Sequence, residues 1–255
     1  MRLVYIICFF IIGTIMGSFY NVLGLRIVKK ESIVKPKSHC EKCGHVLSWY
    51  ELIPIFSFIF LKGRCRNCKT KLSFLYPFSE FFCGLLFAIS FYSFGFSPEL
   101  IISITLSSLL IIVTVSDITY MIIPDRFIVI SGVIILLTKL IFFGFNPFLT
   151  SLLNGLLAFG VMYLIMKLGD YIFKKETLGG ADVKLMFVVG ISLEPFLALL
   201  VIIIASMIAL PISLFLLVKE KEHAIPFGPF ILVGTMIVFL TKLNGLKIIH
   251  FLIGK

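Results

Sequence analysis

Residues 100–125 read LIISITLSSLLIIVTVSDITYMIIPD, and they decide the fold. Positions 100–116 carry no charge; wound as a helix at about 1.5 Å per residue they reach about 25 Å, most of the hydrocarbon thickness of a bilayer. Asp117 closes that run, and Pro124-Asp125 opens the next one. A second acidic stretch, Leu178-Gly179-Gly180-Ala181-Asp182-Val183-Lys184, follows 65 residues after Asp117 and sets another aspartate at the edge of an apolar run.

The whole chain repeats this habit. Of 255 residues, 60% are hydrophobic and 14% charged, with a mean hydropathy of +1.12. Soluble domains are roughly half apolar and about a quarter charged. Repeated apolar blocks of spanning length identify a polytopic membrane protein rather than one or two soluble domains. Arg2 before an apolar stretch resembles a signal peptide, but the block runs on to Leu25 without a small-residue cleavage site, so it is read as the first span.

The net charge of +10 is concentrated, since eleven of the 23 Lys and Arg lie between Arg26 and Lys71 against Glu31, Glu41 and Glu51 alone. In a membrane protein such a loop belongs on the cytoplasmic side against anionic headgroups, and no nucleic-acid partner is expected. It carries Cys40-Glu41-Lys42-Cys43 and, after 21 residues, Cys65-Arg66-Asn67-Cys68. Two Cys-x-x-Cys pairs can close a tetrahedral zinc site; a redox pair and four unconnected cysteines are the alternatives. All-thiol ligation leaves no place for water, so the zinc reads as structural. Between the pairs, Trp49 to Phe60 is apolar but broken by Pro54, too short to span, and is expected to dock on the membrane or the bundle with Trp49 and Tyr50 at headgroup level.

The expected spans are 3–25, a second running to about Phe96, 100–116, a fourth beginning after Asp125-Arg126 and running to Phe145, a fifth to about Leu168, a short sixth at about 183–193 interrupted by Gly190, 196–218 interrupted by Pro211, and an eighth ending near Leu240. Asn146-Pro147 reads as a tight turn, and Gly13, Gly17 and Ser18 as a close-packing face. With the N-terminus outside, the loops at 26–75, 117–126, 169–182 and 219–225 face the cytoplasm and each holds Lys or Arg. The outward turns near 97, 146 and 194 hold none, and only the tail with Lys247 and Lys255 runs against the pattern.

All four aspartates, Asp117, Asp125, Asp170 and Asp182, then fall on the cytoplasmic face. Local partners account for three: Arg126 for Asp125, unless it is a helix-start residue; Lys184 for Asp182; Lys174 for Asp170. Asp117 has no cation within a helical turn. A close aspartate pair shares one proton and can hydrolyse a peptide without metal or covalent intermediate. Gly179 and Gly180 would let an extended substrate approach the backbone.

Taken together, Gly17-Ser18-Phe19-Tyr20-Asn21-Val22 with Arg26, the two Cys-x-x-Cys pairs, Trp49-Tyr50-Glu51-x-Ile53-Pro54, Tyr76-Pro77-x-x-Glu80, Asp117 with Ile123-Pro124-Asp125, Gly179-Gly180-Ala181-Asp182-Val183-Lys184 and Pro226-Phe227-Gly228-Pro229 resemble the bacterial type IV prepilin leader peptidases, membrane aspartyl proteases of the GxGD type. Ala181 stands where that family usually has its second glycine, and no proline follows Arg26. The resemblance implies an all-α polytopic fold of about eight transmembrane helices with a small zinc-ribbon-like cytoplasmic loop, organised as a first helix (1–25), a tetracysteine domain (26–75) and a protease bundle (76–255). It implies Asp117 and Asp182 as the catalytic pair, Asp125, Gly179, Gly180 and Lys184 in support, and Cys40, Cys43, Cys65 and Cys68 on zinc. It further implies cleavage of type IV prepilins or pseudopilins after a glycine at the cytoplasmic face of the bacterial membrane, with N-methylation of the new terminus by S-adenosylmethionine. The competing readings are a membrane-anchored zinc-ribbon binding module and a proton-coupled transporter.

Overall fold

The computed structural model describes residues 1–175, 177–219 and 226–242, with backbone alone at 216–219. Glu176, the loop at 220–225, and the tail with Lys247 and Lys255 lie outside the described residues. Among the described residues nine α-helices follow in order: α1 Arg2–Arg26, α2 Phe56–Phe60, α3 Leu75–Phe94, α4 Pro98–Tyr120, α5 Asp125–Thr138, α6 Phe145–Phe173, α7 Gly180–Ser192, α8 Pro195–Lys219 and α9 Gly228–Leu240. Six segments, built on α1, α3, α4, α5, α6 and α8, are long and apolar enough to cross a membrane. At 13 residues each, α7 and α9 rise about 20 Å, short of a full crossing. Among the described residues there is no strand, only the isolated bridges His39 with Val46 and Arg64 with Lys71.

Helix ends depart from the sequence reading for local reasons. Helix α4 continues a turn beyond Ser116 until Met121 adopts a left-handed conformation (φ 55°) and its N–H closes on Asp117 O at 2.9 Å, so Asp117 sits inside the last turn. The turn before α6 is made by Gly144 (φ 95°); Asn146-Pro147 lies within the first helical turn, where proline costs no hydrogen bond. Gly190 does not interrupt α7. An added Cβ there would lie 2.5 Å from Asn154 O and 2.8 Å from Gly155 Cα, so it is the point where α6 and α7 touch backbone to backbone.

Of the six spanning helices α4 is the most enclosed, with Leu106, Val113 and Val115 fully buried; α9 and α5 pack against it, and α7 packs on α6, α5 and α9. Lipid tails offer no hydrophobic gain over protein, so packing rests on close backbone approach. The expected α1 face delivers it: a Cβ at Gly13 would lie 2.8 Å from Cys83 O, and one at Gly17 would lie 2.9 Å from Glu80 Cα. Asn21 beside them is satisfied, accepting from Ser79 Oγ at 2.6 Å and donating to Tyr76 O at 3.4 Å. Buried hydroxyls such as Ser107 and Thr235 bond back to the carbonyl four residues earlier.

Candidate active site and metal centre

Three helix ends meet at the loop-bearing end of the bundle: the last turn of α4 and the first turns of α7 and α9. They bring Asp117 and Asp182, 65 residues apart in sequence, within electrostatic reach of each other, each only 6–7% exposed. The backbone N–H of Gly228, first residue of α9, addresses the Asp117 carboxylate. Asp182 occupies the third position of α7, with its N–H on Gly179 O at 3.0 Å. The α9 N-terminus thus offers Asp117 an N–H and the positive end of its dipole, while Asp182 lies within the first turn of α7. Among the described residues Asp182 Oδ1 is buried without a hydrogen-bond partner. An unpaired buried carboxylate oxygen is costly, and in a site that receives substrate or water it is the atom expected to receive them.

The surrounding residues sort differently from the sequence expectation. Lys184 does not pair with Asp182, nor Asp125 with Arg126; Lys184 Nζ reaches across to Asp125 Oδ2 at 2.7 Å, joining α7 to α5. Two residues along a helix is roughly 200°, so Lys184 faces away from the Asp182 side. Asp170 takes the Thr177 N–H and hydroxyl at 2.9 and 3.0 Å in place of Lys174. A Cβ at Gly179 would sit 3.1 Å from Asp182 Oδ2, whereas one at Gly180 would meet nothing within 4 Å. Ala181 lies in regular helix against the core, so an alanine at that position is accommodated without strain. The sequence reading missed Gly228 as a site residue. A Cβ there would lie 2.6 Å from Ile123 Cδ1 and 3.3 Å from Asp117 Oδ2. Its contribution is a backbone N–H, and the available signals were its place in the Pro226-Phe227-Gly228-Pro229 motif and a glycine ahead of a proline at a helix start.

The tetracysteine loop forms two matching knuckles. In the first, Cys40 N–H donates to His45 O at 2.9 Å and Gly44 N–H to Cys40 O at 2.9 Å; in the second, Cys65 N–H donates to Thr70 O at 2.9 Å and Lys69 N–H to Cys65 O at 3.0 Å. Gly44 (φ 70°) and Lys69 (φ 57°) turn the two chains back at equivalent places. All four sulfurs lie within 4.8 Å of one another, with Cys40–Cys68 at 3.8 Å and Cys43–Cys65 at 3.9 Å. Tetrahedral zinc with bonds of about 2.3 Å sets its sulfurs about 3.8 Å apart, so the donor set fits. Thr70 holds the Cys68 thiol down to about 6. The His45 backbone N–H favours the Cys43 thiolate, but desolvation and the sulfurs of Cys68, Cys40 and Cys65 outweigh it and push that thiol up to about 11. Thiols this close shed all their protons only to a cation. Cys8 and Cys83 are free thiols in α1 and α3.

Glu51 ties the first knuckle to the turn at Trp49–Leu52, accepting Ser48 N–H at 2.8 Å and facing His45 Nε2 at 3.2 Å. Burial works against its charge, but these hydrogen bonds outweigh it and hold the carboxyl below its usual range. The loop is fastened to the bundle at several points. Glu80 of α3 accepts Ile55 N–H at 2.7 Å, Arg26 donates to the carbonyls of Ser32, Ile33 and Pro36, and Lys29 pairs with Glu41 at 3.0 Å while lying over the Tyr120 ring.

Comparison with known proteins places these features together. The family model described as the bacterial peptidase A24 N-terminal domain matches residues 11–94, and that of the type IV leader peptidase family matches residues 104–214. The chain is 36% identical over 247 residues to a prepilin leader peptidase/N-methyltransferase of Bacillus subtilis, covering 96% of each chain. It is 31% identical over 258 residues to one from Vibrio cholerae, covering 94% of this chain and 98% of the other. One from Neisseria gonorrhoeae is 27% identical over 256 residues, covering 90% and 88%. No solved structure matches.

Proposed function

Because this chain belongs to the type IV leader peptidase family, we propose that it cleaves the leader from type IV prepilins or pseudopilins with Asp117 and Asp182 as the catalytic pair. The observation that carries this reading is the buried meeting of two carboxylates from separate helices, one with an unpartnered oxygen.

Two carboxylates buried close together hold a single proton between them. The ionised one takes a proton from water as the oxygen attacks the scissile carbonyl. The protonated one hydrogen-bonds the carbonyl oxygen, and the proton gained from water then leaves with the amine as the C–N bond breaks. Gly228 N–H steadies Asp117 through this cycle, and Gly179 leaves room beside Asp182. The Lys184–Asp125 pair supports the site from outside by fixing α7 against α5.

The pair lies at the bundle end that carries the basic loop, which supports an active site at the cytoplasmic membrane face with the N-terminus outside. At the other end the cations close α3: Arg2 donates to Tyr92 O at 2.7 Å and Lys242 to Ser93 O at 2.6 Å. We divide the chain accordingly into a first helix to residue 25, the tetracysteine domain at 26–75 and the protease bundle beyond. Cys40, Cys43, Cys65 and Cys68 would hold zinc, which with four thiolates and no open position serves to join the knuckles.

The N-methyltransferase half of the relatives' names implies S-adenosylmethionine. The groove between α5, α6 and α7 is apolar apart from Asp125 and Lys184, which are already paired, and the hollow at Arg2 and Phe94 lies at the far end. Neither fits a charged cofactor serving an amine released at the aspartates.

The deciding experiment incubates the purified protein with a prepilin, with and without S-adenosylmethionine, and reads product mass. Cleavage is expected in both, with a methyl increment only when the donor is present. Cleavage surviving in Asp117→Asn or Asp182→Asn would overturn the assignment.

A further inference from the structure

The tetracysteine loop leaves a large apolar face uncovered, although it is anchored to the bundle. Trp49 is 78% exposed and Phe60 82%, with Phe56, Ile59 and Phe74 also open. These residues are not scattered. The Phe58 ring tucks against Gly63, where an added Cβ would lie 2.9 Å away, and meets Phe74 edge-on at 6.2 Å. Phe74 leads to Phe78 at 6.5 Å, and Phe78 stacks on Phe82 at 5.8 Å. Phe78 and Phe81 point outward from α3, a membrane-spanning helix. The apolar surface of the loop is therefore continuous with a surface that faces lipid.

The depth of the loop follows from its anchor. Ile55, which caps α2, gives its N–H to Glu80, five residues into α3 and so about 7 Å below that helix's start. This sets α2 level with the second turn of a spanning helix. Charge completes the match. Lys62, Arg64, Arg66, Lys69 and Lys71 are all exposed, and no acidic residue occurs between Glu51 and Glu80. Arg66 lies over the Tyr50 ring, beside Trp49.

We propose that this face is a lipid-binding surface: Trp49, Phe56, Ile59, Phe60 and Phe74 enter the boundary region of the bilayer, and the neighbouring cations hold anionic phospholipid headgroups. The metal loop is thus seated on three supports, its zinc knuckles, the Glu80 anchor and the membrane surface. Apolar insertion and basic flanks are the two ingredients of an interfacial anchor, and each alone binds weakly. Through Glu41, Lys29 and Tyr120 the seated loop also bears on the last turn of α4, one turn from Asp117.

Trp49 is the sole tryptophan of the chain, so its fluorescence reports on this face without labelling. The full-length protein is placed in nanodiscs of phosphatidylcholine, alone or with roughly a third replaced by phosphatidylglycerol, with or without bromine on the acyl chains near the headgroup. Bromolipid is expected to quench Trp49 about twofold and its emission to lie to the blue of a water-exposed indole. Both effects should deepen with phosphatidylglycerol, and that increment should weaken in salt. The paired change Ile59→Asp and Phe60→Asp should abolish quenching while the protein keeps its metal; if metal is lost, the bromolipid comparison on the unaltered protein decides alone. Water-like emission indifferent to bromine overturns the proposal, and quenching that ignores phosphatidylglycerol removes its anionic part. A blue shift that appears only when prepilin is added assigns the face to substrate instead.

Discussion

The cysteine tetrad and the aspartate pair are both small constellations of acidic ligand atoms, but they are held by opposite means. The tetrad is made twice over by the same short turn, with matching backbone hydrogen bonds at Cys40 and Cys65, and all its donors fall between residues 40 and 68. The pair has no local frame. Asp117 arrives at the end of α4, Asp182 at the start of α7, and the N–H that addresses Asp117 comes from α9. Local repetition makes a site that tolerates change elsewhere and fails when a ligand is lost. Convergence of helix ends makes one that responds to packing throughout the core.

The largest expected effect tests whether the pair is one device. Asp117→Asn and Asp182→Asn should each lower prepilin turnover at least about a thousandfold, and the double variant should be no slower than either single one. Product formation by mass, beside metal content to show an intact loop, provides the measurement. Multiplicative losses in the double variant would mean that the two carboxylates act separately.

Loss of a thiolate comes next and should spare the pair. Structural zinc in small domains contributes on the order of 10 kcal/mol of apparent binding energy at neutral pH, and that energy is also what folds the site. Cys43→Ser should therefore lose the metal and open residues 40–68 to limited proteolysis, while cleavage of prepilin falls by no more than about tenfold, since α4, α7 and α9 pack without the loop. A loss as deep as that of the aspartate variants would join the two regions into one cooperative unit.

Within the pair's own region, one added methyl separates a packed position from an open one. Gly228→Ala places a Cβ against Ile123 and the Asp117 carboxylate and should cost about 1–3 kcal/mol of strain. Displacing the α9 N-terminus from Asp117 should slow turnover by about 10- to 100-fold. Gly180→Ala, which meets nothing within 4 Å, should be silent. Equal effects at both glycines would show that backbone freedom, and not contact, is what this site requires.

The same contrast governs what could be read from the chain. The spans, the tetrad and the two aspartates follow from apolar run length and residue type, which are local signals. Helix α4's extra turn depends on the left-handed Met121, a residue with no propensity for that conformation. Pro147 looked like a turn because proline ends helices more often than it sits in their first turn, and Gly190 looked like a break because its partner, the α6 backbone, is not local. The Lys184–Asp125 pair spans 59 residues and displaced nearer partners for both charges. Gly228 left no side-chain signature at all. Met121 and Pro147 are matters of local backbone at helix ends, whereas Gly190, Gly228 and the Lys184–Asp125 pair turn on contacts between distant segments; none of the five lies in the knuckles.

The smallest effect probes the knuckle repeat itself. Gly44 and Lys69 occupy equivalent left-handed positions, yet only one is glycine. A residue with a Cβ costs about 1 kcal/mol or more there, while glycine adopts the conformation freely at some expense in unfolded-state entropy. Gly44→Ala should thus destabilise the metal site by about 1 kcal/mol, and Lys69→Gly should stabilise it by somewhat less than about 1 kcal/mol. The rate of zinc transfer to a coloured chelator on heating reads both, faster for the first and slower for the second. Shifts of the same sign would show that the knuckles are alike in hydrogen bonding but not in strain. Because the effect is local, it should be unchanged when measured in the Asp117→Asn protein, where additivity is the expectation for sites without shared partners. A shift that depended on Asp117 would reveal coupling along the route from Glu41 through Lys29 to Tyr120.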